Sequence, residues 1–227
     1  MGNVSKDEQR HIAFGVKMVA DLVRADPDCR PAVEELLREI FPFTAAVFVP
    51  PGWDERYVTS FGFTLEEIFA YGADSMEARF RAAGLDPETM RLGMPFDLPS
   101  EERARRGLAM LRAGYLGAPN GPVKPDAAVT ALLFDGISRQ IDTSAAPGAV
   151  IQWDFSDAEP WHLRITNGAA QAEPGRVEHP DLTFRCRFGD WVDLTAGRAD
   201  PWRAALTGKI RPRGNLRLLL RASKLFA

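Results

Sequence analysis

Glu8 and His11 stand three residues apart in Ser5-Lys6-Asp7-Glu8-Gln9-Arg10-His11, an ExxH spacing that brings a carboxylate and an imidazole to neighbouring positions one helical turn apart. Oxygen and imidazole donors so placed are potential ligands for a metal ion. On a helical wheel centred on His11, Glu8 falls at about 60°, near Gly15, Met18, Val19 and Leu22, while Lys6, Arg10, Lys17 and Arg24 fall opposite. The two candidate ligands therefore belong to the apolar side of the segment. The same residues carry a structural reading, because Ser5 to Glu8 has the form of a capping box in which Glu8 reaches back to the Ser5 amide.

Other chemistry-bearing residues are sparser. Gly208-Lys209 resembles the end of a phosphate loop, but Ile210 follows and the earlier glycine of the pattern is absent. His162 and His179 lie on a strand's polar side and in a proline-bounded turn, with no nucleophile signature beside them. Both read as surface histidines. Cys29 and Cys186 are too far apart in sequence for a CxxC site or a disulfide framework. Trp53, Tyr57, Phe61 and Phe63 form an aromatic stretch that reads as core packing.

These residues sit in a chain of 227 residues, 45% hydrophobic and 26% charged, the composition of a folded protein of one or two domains. With 31 acidic and 28 basic residues the net charge is −3, which disfavours nucleic acid as a partner. No run reaches the ~18 apolar residues of a membrane-spanning helix, and the polar opening lacks the apolar core of a signal peptide. The expected location is the cytoplasm.

The first half reads as helical. An amphipathic helix is predicted over 6–24, broken by Pro27 and Pro31, then a second over 31–40. The apolar stretch 41–53 carries Pro42, Pro50 and Pro51 and reads as an irregular buried connection. Thr64 to Glu67 forms a capping box that starts a helix to about residue 70, continuing brokenly to 83. Ser100 starts another to about 115, with Arg103, Arg105, Arg106 and Arg112 mostly on its wet side. Residues 116–126, LGAPNGPVKPD, form the best linker. The expected division is a helical region 1–115, that linker, and a domain 127–227.

Past the linker a helix is predicted over 127–141, and from Val150 the hydrophobic period changes from 3.6 to 2. Ile151, Trp153 and Phe155 alternate with polar residues, as do Trp161, Leu163 and Ile165, then Leu182, Phe184, Cys186 and Phe188. A sheet with one apolar face needs a covering layer. The helices predicted over 189–196, 201–207 and 215–226, with that over 127–141, supply it.

The order helix, strand, strand, strand, two short helices, strand, helix resembles the sterol carrier protein type 2 domain. Local phrases carry the resemblance too: Trp161-His162-Leu163-Arg164-Ile165-Thr166-Asn167-Gly168, Asp181-Leu182-Thr183-Phe184, and Asp190-Trp191-Val192-Asp193-Leu194-Thr195-Ala196-Gly197. They are followed by Asp200-Pro201-Trp202, Leu206-Thr207-Gly208-Lys209-Ile210 and Gly214. The resemblance covers about the last hundred residues and implies an antiparallel sheet covered by helices there, so that with the helical N-terminal region the expected fold class is α+β. The resemblance also implies a tunnel for a sterol, a fatty acid or an acyl-CoA, with no catalytic residue and no cofactor. Phe134, Ile151, Trp153, Phe155, Leu163, Ile165, Leu182 and Phe184 are its expected lining from the first helix and the sheet. Trp191, Leu194, Trp202, Leu206 and Leu219 are those from the later helices. The pattern alone leaves open whether these side chains line a tunnel or fill a core. Burying an acyl chain at about 0.8 kcal/mol per CH₂ yields more than ~10 kcal/mol gross, against the ~8 of micromolar binding, so broad selectivity is expected.

The terminal stretch holds Lys209, Arg211, Arg213, Arg217, Arg221 and Lys224 and no acid. It reads as a solvated edge on a buried helix, or as a gate that leans on an anionic membrane surface or a CoA phosphate.

The Ser5 to Gly15 phrase resembles the last ligand helix of ferritin-like di-iron carboxylate oxidases, which implies Glu8 and His11 as iron ligands within a ferritin-like helix at 5–25. A full site takes a Glu from each of two helices and an ExxH from each of two more. This chain has one ExxH, so the second reading is a fragment or subunit of a di-iron oxidase acting on a lipid or acyl substrate. A ferritin-like partner chain or a homodimer would complete it; otherwise the helix serves packing.

Overall fold

The structure, a computed structural model, describes residues 2–48, 54–90, 92, 95–117, 121–166 and 168–225. Helix α1 spans Gly2–Ala25, so Ser5 lies inside the helix and the capping box expected there does not start it. A short 3-10 turn, Pro27–Cys29, follows, with the Asp26 carboxylate accepting the Asp28 amide at 3.1 Å. Helix α2 spans Arg30–Phe48 and corrects the expected stop at residue 40. Pro42 removes its own N–H but does not end the helix, since one lost bond is tolerable in a long segment with its apolar side packed. Pro50, Pro51 and Trp53 lie outside the described residues.

After the one-turn α3, Arg56–Thr59, helix α4 spans Leu65–Ala82 without the expected break. Its capping box is made: the Glu67 amide donates to Thr64 Oγ1 at 3.2 Å and the Thr64 amide to Glu67 Oε2 at 2.8 Å. Gly84, at φ +76°, ends it as a left-handed C-terminal residue, with the Leu85 amide bonded to the Phe80 carbonyl. Helix α5 spans Ser100–Arg112. Val23 of α1, Val33 and Leu37 of α2, Phe80 of α4 and the loop residues Leu85, Met90, Leu92 and Phe96 share a first apolar core.

Arg103 corrects the expectation of a wet arginine side on α5: it is buried, donating to the carbonyls of Phe96 and Leu98 and to Glu77 of α4 at 2.7 Å. The aromatic stretch is corrected the other way. Tyr57, Phe61 and Phe63 are exposed, because only one turn of helix forms there and nothing covers it among the described residues.

Helix α6, Ala127–Gln140, starts at Asp126, whose carboxylate accepts the Val129 amide at 2.9 Å. The Asp126 amide donates to the hydroxyl of buried Tyr115 at 2.8 Å, and Arg198 donates to the carbonyls of Gly114 and Gly117. The Gly- and Pro-rich stretch on either side of 118–120, which lie outside the described residues, is thus held against the second half of the chain.

Five strands follow: β1 Val150–Phe155, β2 Trp161–Thr166, β3 Ala169–Pro174, β4 Leu182–Cys186 and β5 Ile210–Gly214, in the order β3-β2-β1-β4-β5. The α+β class stands, but the sheet is mixed: β1 and β4 are parallel and the other neighbours antiparallel. Strand β3, Ala-Ala-Gln-Ala-Glu-Pro, was not expected, because its inward residues Ala170 and Ala172 are small and of low β-propensity, so their alternation with Gln171 and Glu173 marks no strand. Helices α7 Phe188–Thr195, α8 Pro201–Leu206 and α9 Leu216–Leu225 complete the layer over the sheet. No described helix is long and apolar enough to cross a membrane.

Candidate functional site

The inward residues of the sheet and its helices form the second core. Ile151, Trp153, Phe155, Trp161, Leu163, Ile165 and Leu182 are all buried there. Phe134, brought down from α6 and fully buried, sits at the centre. Its ring stacks on Trp161 with centroids 4.5 Å apart and planes 3° from parallel, and on Trp191 of α7 at 4.8 Å and 18°. Trp153 meets it edge-on at 5.2 Å. Indole and phenyl faces in van der Waals contact fill the space between helix layer and sheet, so the expected lining residues touch one another.

Phe184, Leu194 and Leu219 are half-buried and pack against this core. Trp202 and Leu206 do not join it: they are 74% and 87% exposed. Helix α8 is six residues long and turns Ala204 inward, so positions 202 and 206 fall on the opposite side.

Two clefts flank the core. One, of about 450 Å³, lies between α6 and the β2–β3 edge, with Trp161, Ala131, Ala170, Ala172 and Pro174 along it and Asp135, Ser138 and Arg139 among its polar lining. Burial pushes the Asp135 carboxyl up, but hydrogen bonds from Arg139 and Arg106 outweigh this and lower its pKa below the ordinary value. Arg139 also pairs with Asp97. The second cleft, about 370 Å³, lies between residues 145–149 and α9, where Asn215, Arg217, Leu218 and Arg221 line it. The charges of Asp135 and Arg139 were not singled out in the sequence, because a helix i,i+4 pair reads as ordinary surface.

His162 is buried, not a surface histidine: its Nδ1 lies 3.2 Å from the Gly175 carbonyl. Gln152 beside it, also buried, donates to the Trp161 carbonyl and accepts the Val177 amide at 3.0 Å. The chain from Gly175 to Val177 covers this part of the sheet's polar face. His179 is exposed.

Glu8 and His11 are exposed, as are Phe14, Met18 and Leu22; α1 packs through the strip Val16, Val19 and Val23 instead. Its apolar side is thus wider than its buried side, and the pair lies beyond the packed strip. Among the described residues no three His, Cys, Asp or Glu side chains gather to hold a metal ion.

The C-terminal half is thus a mixed sheet covered by helices around an apolar aromatic core. Residues 138–227 match the SCP-2 sterol transfer family, and this part of the chain is an SCP-2 domain. Among solved structures, the chain is similar to apo sterol carrier protein 2 from Yarrowia lipolytica, at 20% identity over 45% of this chain and 93% of that one, TM-score 0.37. It is also similar to sterol carrier protein 2 like 2 from Aedes aegypti, at 20% identity over 33% of this chain and 70% of that one, TM-score 0.30. A third similarity is to the inverting sec-alkylsulfatase Pisa1 from Pseudomonas sp., at 18% identity over 76% of this chain, TM-score 0.38; there the match spans 32% of the alkylsulfatase. No curated protein matches the sequence.

Proposed function

We propose that the C-terminal half binds and carries an apolar ligand with an acyl or sterol body, between the sheet and its helices, and performs no chemistry on it. The observation that carries this reading is the double position of Trp161. One face of its indole stacks on Phe134, and it also lines the 450 Å³ cleft. A chain entering from the cleft that displaces the Phe134 ring meets Trp153, Leu163, Ile165 and Trp191, all apolar and buried. The cleft volume lies in the range of small-molecule sites, and each CH₂ moved from water gains about 0.8 kcal/mol. Arg139 uses Nε and Nη1 on Asp135 and Asp97, and its remaining N–H groups are the donors at the rim for a carboxylate or ester head.

The SCP-2 match supports the same reading. The test is displacement of a fluorescent polyene fatty acid from the purified chain by palmitate and by cholesterol, alongside native mass spectrometry for co-purified lipid. Saturable one-to-one binding that changes tryptophan emission is expected. A chain that takes up neither probe and carries no lipid overturns the proposal.

A further inference from the structure

We infer that the outer side of α8 and the adjoining edge of β5 form a docking surface for an anionic lipid bilayer. Trp202 and Leu206, four residues apart and so on one side of α8, are 74% and 87% exposed, while Ala204 holds the helix to the core. Cations flank them. Arg203 is exposed on the same helix, and Arg211 places its Nε 3.2 Å from the carbonyl of Gly208, two residues beyond Leu206. Arg213 shares the outward face of β5 with Arg211, whereas Ile210 is buried and Pro212 half-buried. Arg203, Arg211 and Arg213 make no ion pair among the described residues. The neighbouring acids are engaged, Asp190 with Lys209 at 3.3 Å and the Asp200 carboxylate with the Arg203 amide at the start of α8.

The size and charge of the patch select the occupant. Two side chains offer on the order of 300 Å² of apolar surface, well below the roughly 800 Å² per partner of a stable protein interface. A second copy docked through the same face would set Arg203, Arg211 and Arg213 against like charges. A bilayer asks for less apolar area. An indole at headgroup level, a leucine reaching the acyl boundary and guanidinium groups among lipid phosphates match this arrangement. The inference goes beyond ligand carriage and needs no ligand in the core, since Trp202 and Leu206 are not part of it.

The test is co-sedimentation of the full chain with phosphatidylcholine vesicles, with and without about 30% phosphatidylserine, the lipid that supplies the negative surface potential. Association with the anionic vesicles alone is expected, weakening strongly at about 0.5 M salt. The double variant Trp202→Ala/Leu206→Ala should lower partitioning at least about tenfold. Each of Arg203→Gln, Arg211→Gln and Arg213→Gln should lower it roughly fivefold at low salt. Brominated lipid should quench the share of the emission that Trp202→Phe removes, since Trp202 is exposed whereas Trp153, Trp161 and Trp191 are buried. All these positions are exposed, so unchanged thermal unfolding is the control for folding. No association, association untouched by the double variant, or a concentration-dependent dimer that the double variant abolishes each overturns the inference. Failure here leaves the fatty-acid displacement result standing, and the converse holds.

Discussion

The carbonyl oxygen of Asp181 lies where the first side-chain atom of residue 214 would fall: a Cβ built on Gly214 comes within 2.3 Å of it. Gly214 has φ +114° and pairs with Leu182 at the end of β5, and the next amide, Asn215, donates to that same carbonyl at 2.7 Å. The Asp181 carboxylate in turn accepts the Val150 amide at 2.8 Å. One aspartate therefore ties the starts of β1, β4 and α9 together, and the glycine lets β5 approach it.

Gly214→Ala forces backbone apart, since no flexible side-chain end is available to yield. A loss of at least about 3 kcal/mol is expected in urea unfolding, larger than an ordinary surface substitution by far. A change within 0.5 kcal/mol would show that β5 does not close on Asp181 as described.

Phe134→Ala removes the ring on which Trp161 and Trp191 stack. Loss of the buried phenyl and the resulting void should cost about 3–5 kcal/mol. If ligand and ring compete for the same space, the variant also binds the polyene fatty acid more tightly than the parent chain. Loss of stability with weaker binding would place the ligand elsewhere, and would count against the route through the cleft.

Arg103 and Glu77 join α5 to α4. The hydrogen bond from Arg103 pulls the Glu77 carboxyl below its ordinary range; burial opposes this and Arg81 assists it. A carboxylate with a lowered folded pKa stabilises the fold at pH above the unfolded value, near 4.5, and the contribution disappears as pH falls through the folded value. Arg103→Met strands the carbonyls of Phe96 and Leu98 as well, with a cost on the order of 3 kcal/mol at neutral pH. Its unfolding free energy should depend less on pH below 4.5 than that of the parent. Parallel curves for the two proteins would mean that the pair does not couple to folding.

The features legible in the sequence are those whose partners lie within a few residues. Thr64 and Glu67 make their capping box because both halves are local, and the alternation of Ile151, Trp153 and Phe155 follows from the pleat of one strand. Arg103 was misread because Glu77 stands 26 residues away and nothing local marks the pairing. His162 looked wet because the alternation assigns a face, whereas the loop from Gly175 to Val177 decides whether that face meets water. For Trp202 and Leu206 a short helix fixes that they share a side but not which side meets the sheet. Phe134, Trp153 and Trp191 are expected from the resemblance to line a tunnel; they are buried, and the alternation that marks them does not tell a tunnel from a filled core. The parallel pairing of β1 with β4 depends on chain reversals that leave no periodic signal.

Cys186 and Cys29 should differ sharply in reactivity. Burial, with the nearby charges of Asp190, Asp157 and Asp154, pushes the Cys186 thiol up to about 12 from 9.0, while Cys29 is only half-buried. The thiolate is the reactive form, so in the folded chain a disulfide reagent at mildly alkaline pH should label Cys29 and spare Cys186 until the protein is unfolded. The same shift links to stability. Above pH 9 the unfolded chain loses the Cys186 proton while the folded chain keeps it, so stability falls as pH rises toward 12, by up to about 1.4 kcal/mol per pH unit. Cys186→Ala removes this part of the alkaline slope, at a modest packing cost that is the same at every pH. Unfolding curves collected between pH 8 and 10 check it. Equal slopes for the variant and the parent, or labelling of Cys186 at the rate of Cys29, would mean that the end of β4 opens to solvent far more readily than its burial implies.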